Sequence, residues 1–162
     1  QAILDFGGGS GNYTIPAARI AGVKGVVCVL DRDERVLRIV QQRAALLGLR
    51  NIRILNVLVE SVIPLRSDSM DVVMLFDVLH SYYFRSEDRR RVLTEVFRVL
   101  KKEGLVILYP GDPEVFHNHF ELGSIKRELD EGGFLLSSQY CGRIIHENSL
   151  EQGCILSYRK RR

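Results

Sequence analysis

Asp5-Phe6-Gly7-Gly8-Gly9-Ser10-Gly11 is the stretch on which the reading of this chain turns. Just ahead of the glycines, Ala2 to Phe6 is a short apolar run broken by one acid, the pattern of a parallel strand buried on both faces. Just behind them a helix is expected from about Asn12 to Ala21, starting near Thr14, because Pro16 is tolerated only in a first turn. A glycine cluster between strand and helix is the setting in which a loop cradles a ligand. Lacking a Cβ, Gly7, Gly9 and Gly11 can adopt left-handed conformations and bring the backbone close to a bound group. Gly8 completes a run of small residues longer than a tight turn requires.

The spacing chooses among ligands. A dinucleotide loop reads Gly-x-Gly-x-x-Gly, and its third position falls here on Asn12 or Thr14. The pattern is instead Asp-x-Gly-x-Gly-x-Gly, with Asp5 ahead of the glycines. An acid there suits a ligand with a positive end, such as an amino acid's ammonium, better than a diphosphate. Asp31 follows at the end of the next apolar run, Val26 to Leu30, and a carboxylate in that place can accept both hydroxyls of a ribose. A nucleoside joined to an amino acid fits all three features.

The rest of the chain alternates in the same way. Asp33 caps a helix whose Leu37, Val40, Ala44 and Leu47 form one stripe, closed by Gly48. Strands are expected at Ile52 to Leu55, Met70 to Phe76 and Leu105 to Tyr109. A helix opening at Ser86 and ending at Gly104 precedes the last of these, and another carries Leu122, Ile125 and Leu129. Two final strands, Phe134 to Ile144 and Cys154 to Arg159, leave no room for a crossover helix and must pair antiparallel. Apolar strands alternating with helices give an α/β doubly wound, Rossmann-like sheet in a single domain, 1–162.

Composition agrees. The 162 residues are 46% hydrophobic and 27% charged, with net charge +3, enough for one core and too mild to require nucleic acid. Arg89-Arg90-Arg91 and the Arg159-Lys160-Arg161-Arg162 end read as solvated charge. No apolar run spans a membrane. The three cysteines, Cys28, Cys141 and Cys154, fit no zinc spacing and are read as reduced, which places the chain in the cytoplasm; a bridge between the last two is the other reading. Asp112, His117 and His119 are read as a polar loop rather than a metal site.

Four segments, in order, resemble the class I S-adenosylmethionine-dependent methyltransferases, in particular those acting on small molecules. They are Leu4 to Gly11; Val29 to Asp33; Asp71 to Met74 with Asp77 to His80; and Arg98 to Gly104. The resemblance implies seven strands in the order 3-2-1-4-5-7-6. It implies S-adenosylmethionine as cofactor, its methionine part held by Asp5, Gly7, Gly8, Gly9 and Gly11, and its ribose by Asp31. Arg32 would lie along the adenine, and Glu60 would replace the acid that many members offer the adenine amine. Phe76 and Asp77 would border the methyl group. His80 is the candidate general base, with Tyr82 and Tyr83 beside the acceptor. The expected acceptor is a small molecule. A nicotinamide-dependent oxidoreductase and a non-catalytic S-adenosylmethionine-binding regulator are the competing classes. Because the chain opens almost at the first strand, the helical cover expected before that strand would come from a preceding segment or from a second copy in a homo-oligomer.

Overall fold

The computed structural model describes residues 1–57, 62–111, 119–146 and 149–161. Five parallel strands come first: β1 (Ala2–Phe6), β2 (Val26–Asp31), β3 (Ile52–Asn56), β4 (Met70–Phe76) and β5 (Leu100–Tyr109). They are joined through α1 (Thr14–Ala21), α2 (Glu34–Leu46) and α3 (Ser86–Val99), and α4 (His119–Glu131) leads to β6 (Phe134–His146) and β7 (Ser149–Lys160). The sheet order is β3-β2-β1-β4-β5-β7-β6, with β7 antiparallel to both its neighbours. The order reverses between β1 and β4, the switch point where ligands of such sheets bind.

Strand parity explains why both faces need helices. Ile3 and Val27 point to one face, where they pack with Ala17 and Ala18 of α1, and Val29 meets Leu37 and Val40 of α2. Leu4, Phe6, Cys28 and Leu30 point to the other, into a larger core with Leu93 and Val96 of α3 and Ile125 and Leu129 of α4. Each such Val, Leu, Ile or Phe side chain, fully buried, contributes about 1.5–3 kcal/mol. Between α3 and α4 lies a buried ion pair, Arg89 Nε to Glu128 Oε2 at 2.8 Å, with the Ser86 hydroxyl donating to the same carboxylate.

Local signals act as read. Asp33 has extended backbone and accepts from the Arg35 amide at 2.8 Å, and Gly48 takes φ +64° just after α2. Four expectations are corrected. Arg89, read as solvated charge, is buried in its pair with Glu128, because α4 supplies the partner carboxylate. β5 begins at Leu100 rather than Leu105, because fully buried Leu100 pairs with Met70, and the turn sits inside the strand at Glu103, φ +61°. The final hairpin is longer than expected, since β7 starts at Ser149 and β6 runs to His146. These polar ends are held by ladder pairing, which hydrophobic periodicity cannot reveal. Finally, the register places Cys141 opposite Cys154, with Cα atoms 4.1 Å apart, and the two form a disulfide. Cys28 alone remains a buried thiol among the cysteines. The cytoplasmic reading loses the support that reduced thiols lent it.

Candidate active site

At the carboxyl ends of β1, β2 and β4 lies a cavity of about 430 Å³, within the range of about 300–1,000 Å³ usual for small-molecule sites. Gly7, Gly8, Gly9, Asp31, Arg32, Phe76 and Asp77 line it, as do Tyr13, Val78, Tyr83 and His146. Most residues expected at a cofactor site therefore meet in one hollow. Asp5, Gly11 and His80 are near but not on its wall, and Glu60 lies outside the described residues.

The glycine loop is fixed by its own backbone. Gly7 and Gly8 amides both donate to Leu30 O, at 2.8 and 3.1 Å, and the Gly11 amide donates to Gly8 O at 2.9 Å. The Gly9 amide donates to Asp31 Oδ2 at 2.9 Å. Glycine is obligatory at two of these points for different reasons. At Gly8 a Cβ would lie 2.4 Å from Val29 Cγ2 and 2.9 Å from Asp5 Oδ2, so the loop could not settle on the sheet. At Gly9 a Cβ would meet nothing within 4 Å, but φ is +51° and the bare backbone faces open space. Arg43 of α2 holds the far side, donating to Ser10 O at 2.8 Å.

Two acids serve the loop in unlike ways. Asp31 spends one lone pair of each oxygen on the amides of Gly9 and Asp33, at 2.9 Å each, and each oxygen has a second acceptor site. Asp5 is buried beneath the loop and accepts from the Thr14 hydroxyl at 2.5 Å. Burial pushes its carboxyl up to about 6; the Thr14 hydrogen bond works the other way, and the Asp31 charge adds to the rise. Asp5 therefore supports the loop from behind.

Asp77 closes the other end. Its φ is +56°, a region non-glycine residues enter mostly as Asn or Asp, and its amide donates to Tyr109 O at 2.9 Å. Its Oδ1 lies 2.6 Å from His80 Nε2, and its Oδ2 lies 3.6 Å from His146 Nε2. His80 is buried and does not reach the cavity wall. Tyr82 is exposed, while Tyr83 reaches the cavity wall.

Sequence reasoning missed Tyr13 and His146, whose Oη and Nδ1 lie 2.6 Å apart. Tyr13 was within reach, being an aromatic residue two places past the last loop glycine. His146 carried no local signal, since its partners come from the far end of the chain.

The residues of this hollow fit S-adenosylmethionine. Asp31 keeps acceptor capacity for a diol, apolar Phe76 and Val78 face the interior, and four loop amides that could hold a diphosphate are bonded within the protein. Among the described residues no cluster of three or more metal-ligating side chains occurs, and no helix is long and apolar enough to cross a membrane.

Comparison with known proteins points the same way. A family model described as a methyltransferase domain matches residues 3–104. A ubiquinone/menaquinone biosynthesis C-methyltransferase of Blochmanniella pennsylvanica is 30% identical over 125 residues, covering 75% of this chain and 48% of its own. Its namesake from Blochmanniella floridana is 27% identical over 107 residues, covering 65% and 40%. The chain thus spans less than half the length of these curated relatives. A SAM-dependent methyltransferase of Methanosarcina mazei shares the fold, with TM-score 0.78 and 18% identity over 99% of this chain and 92% of its own.

Proposed function

The chain belongs to the class I S-adenosylmethionine-dependent methyltransferases, and from that membership we propose that it moves a methyl group from S-adenosylmethionine to a small acceptor bearing a hydroxylated ring. The observation that carries the donor half is the Asp31 carboxylate beside a glycine loop whose own amides are already bonded. The names of the quinone-pathway relatives and the aromatic wall of Tyr13, Phe76 and Tyr83 support the acceptor half.

When bound, the cofactor supplies a methyl group on a sulfonium, already activated for in-line displacement. The protein's share is alignment and exclusion of water. Asp31 would accept from the ribose hydroxyls with the second lone pair of each oxygen. Gly7, Gly8 and Gly9 would carry the methionine end along their bare backbone, with Asp5 and Thr14 bracing them from below. Arg32 would flank the adenine, its planar guanidinium suited to stacking. Phe76, with Tyr13 packed edge-on at a centroid distance of 4.5 Å, would keep water from the reacting end.

Titration calorimetry with S-adenosylhomocysteine and with NADH tests the donor site. Binding of S-adenosylhomocysteine alone is expected, and binding of NADH alone would overturn the reading. Transfer of a labelled methyl group to benzoquinols and naphthoquinols tests the acceptor. Tight cofactor binding without turnover on any acceptor would favour a regulator over an enzyme.

A further inference from the structure

Beyond residues 3–104, which match the family, the last hairpin outruns the sheet. β5 pairs with β7 only from Leu105↔Arg159 to Leu108↔Leu156, whereas β6 and β7 stay paired as far as His146↔Ser149. The Cys141–Cys154 disulfide ties the two strands of this ribbon together. Its last β6 residue, His146, reaches the cavity wall with 11% of its side chain exposed.

The imidazole is held from three elements. Nδ1 lies 2.6 Å from Tyr13 Oη, just ahead of α1, and Nε2 lies 3.6 Å from Asp77 Oδ2, just past β4. The ring of Tyr109, from β5, meets it edge-on at 4.9 Å, and the Tyr109 hydroxyl itself donates to Glu151 of β7 at 2.5 Å. On the far side of Asp77 stands His80, 2.6 Å from Oδ1. A carboxylate opposite Nε2 favours the proton on that nitrogen. Nδ1 is then the acceptor, and Tyr13 donates to it.

We propose that Tyr13, His146 and Asp77 are a proton-accepting triad for the methyl acceptor, with Tyr13 Oη the atom that meets the substrate. The proposal rests on the methyl-transfer reading and deepens it by requiring an ionisable O–H on the acceptor. As that O–H bond breaks, its electron pair stays on the acceptor oxygen and its proton joins Tyr13 Oη. The proton already on Tyr13 moves to His146 Nδ1, and the imidazolium so formed faces Asp77. Release of one proton from the triad to water restores the starting state. His80 acts through Asp77 and is a positioning residue rather than the base.

Long-range proton–nitrogen NMR on the whole chain, without ligand, reads the triad directly. Neutral His146 is expected to carry its proton on Nε2, and Asp77→Ala is expected to raise the share of the form protonated on Nδ1. A neutral ring protonated on Nδ1, or a tautomer ratio unmoved by Asp77→Ala, overturns the proposal. With labelled cofactor and a naphthoquinol, His146→Gln and Tyr13→Phe should each lose about 10²–10⁴-fold in rate below the acceptor's own pKa and recover above it. A loss uniform across pH would make both residues structural and overturn the proposal. Should the unaltered chain methylate nothing, the methyl-transfer reading falls by itself, while the NMR arm still decides the triad.

Discussion

Thr14, the first residue of α1, donates its hydroxyl to the Asp5 carboxylate at 2.5 Å, and both side chains are buried. This single bond joins the strand before the glycine loop to the helix after it, so the loop is anchored at both ends by one contact. It also stabilises an acid that burial would otherwise leave poorly solvated.

That acid gives the protein a pH signature. With its carboxyl pushed up to about 6 from an ordinary 3.8, Asp5 binds its proton more tightly in the native state than in the unfolded chain. Its contribution to stability is therefore full below pH 4, falls as pH rises to about 6, and is flat beyond, amounting to about 3 kcal/mol. Asp5→Asn keeps an acceptor for Thr14 and has no charge to bury. Urea unfolding should find it more stable than the parent at pH 8, with the gap closing towards pH 4. A gap independent of pH would contradict the assignment.

Asp31 has two duties that its variants can separate. Asp31→Ala should weaken S-adenosylhomocysteine binding by about 10–100-fold, as expected for hydrogen bonds to a charged group. It should also lower stability by about 1–3 kcal/mol, because the amides of Gly9 and Asp33 lose their acceptor. Asp31→Asn keeps one acceptor oxygen and should lose less stability than affinity. Calorimetry and thermal unfolding on the same samples give both quantities; unchanged affinity in Asp31→Ala would remove the ribose assignment.

Two neighbouring glycines should fail differently. At Gly8 the new methyl strikes Val29 and Asp5, so Gly8→Ala should cost about 1–3 kcal/mol of stability. At Gly9 nothing stands in the way, and the left-handed backbone alone should cost about 1–2 kcal/mol. Because Gly9 lines the cavity, its methyl group should cost cofactor affinity out of proportion to stability. Comparing denaturant midpoints with calorimetric affinities tests the contrast, which disappears if both variants lose the two in equal measure.

The Arg89–Glu128 pair, 5% exposed on each side, joins α3 to α4. Glu128→Ala leaves a buried guanidinium uncompensated and should cost about 3–5 kcal/mol. Replacing both partners, as Arg89→Met with Glu128→Leu, should cost less than the single change. Urea midpoints of the two variants decide it, and a double variant weaker than the single would show that the pair itself stabilises the fold.

The chain's local chemistry was enough to announce the strand–loop–helix at Asp5 to Thr14, the cap at Asp33, the stop at Gly48 and the strand at Met70–Phe76. In each case the cause lies within a few residues: a missing Cβ, a carboxylate near orphan amides, or apolar residues in an unbroken run. Asp31 was legible for the same reason, since the end of an apolar run beside a glycine loop fixes where a carboxylate stands. The strand order came from likeness to a family rather than from periodicity, because a parallel strand is equally apolar wherever it sits in the sheet.

Register and long-range approach were decided only by the tertiary structure. The pairing of Cys141 with Cys154 depends on the alignment of β6 and β7, and one residue of slip would part the sulfurs. The turn from Asp77 to His80 is local, yet the burial of His80 depends on how the chain after β4 packs. Tyr13 and His146, 133 positions apart, meet because a ribbon continues past the sheet's edge and folds its last imidazole towards the glycine loop. Short-range patterns record which residues want burial or a partner; which distant partner they find is set by the closing of the whole sheet.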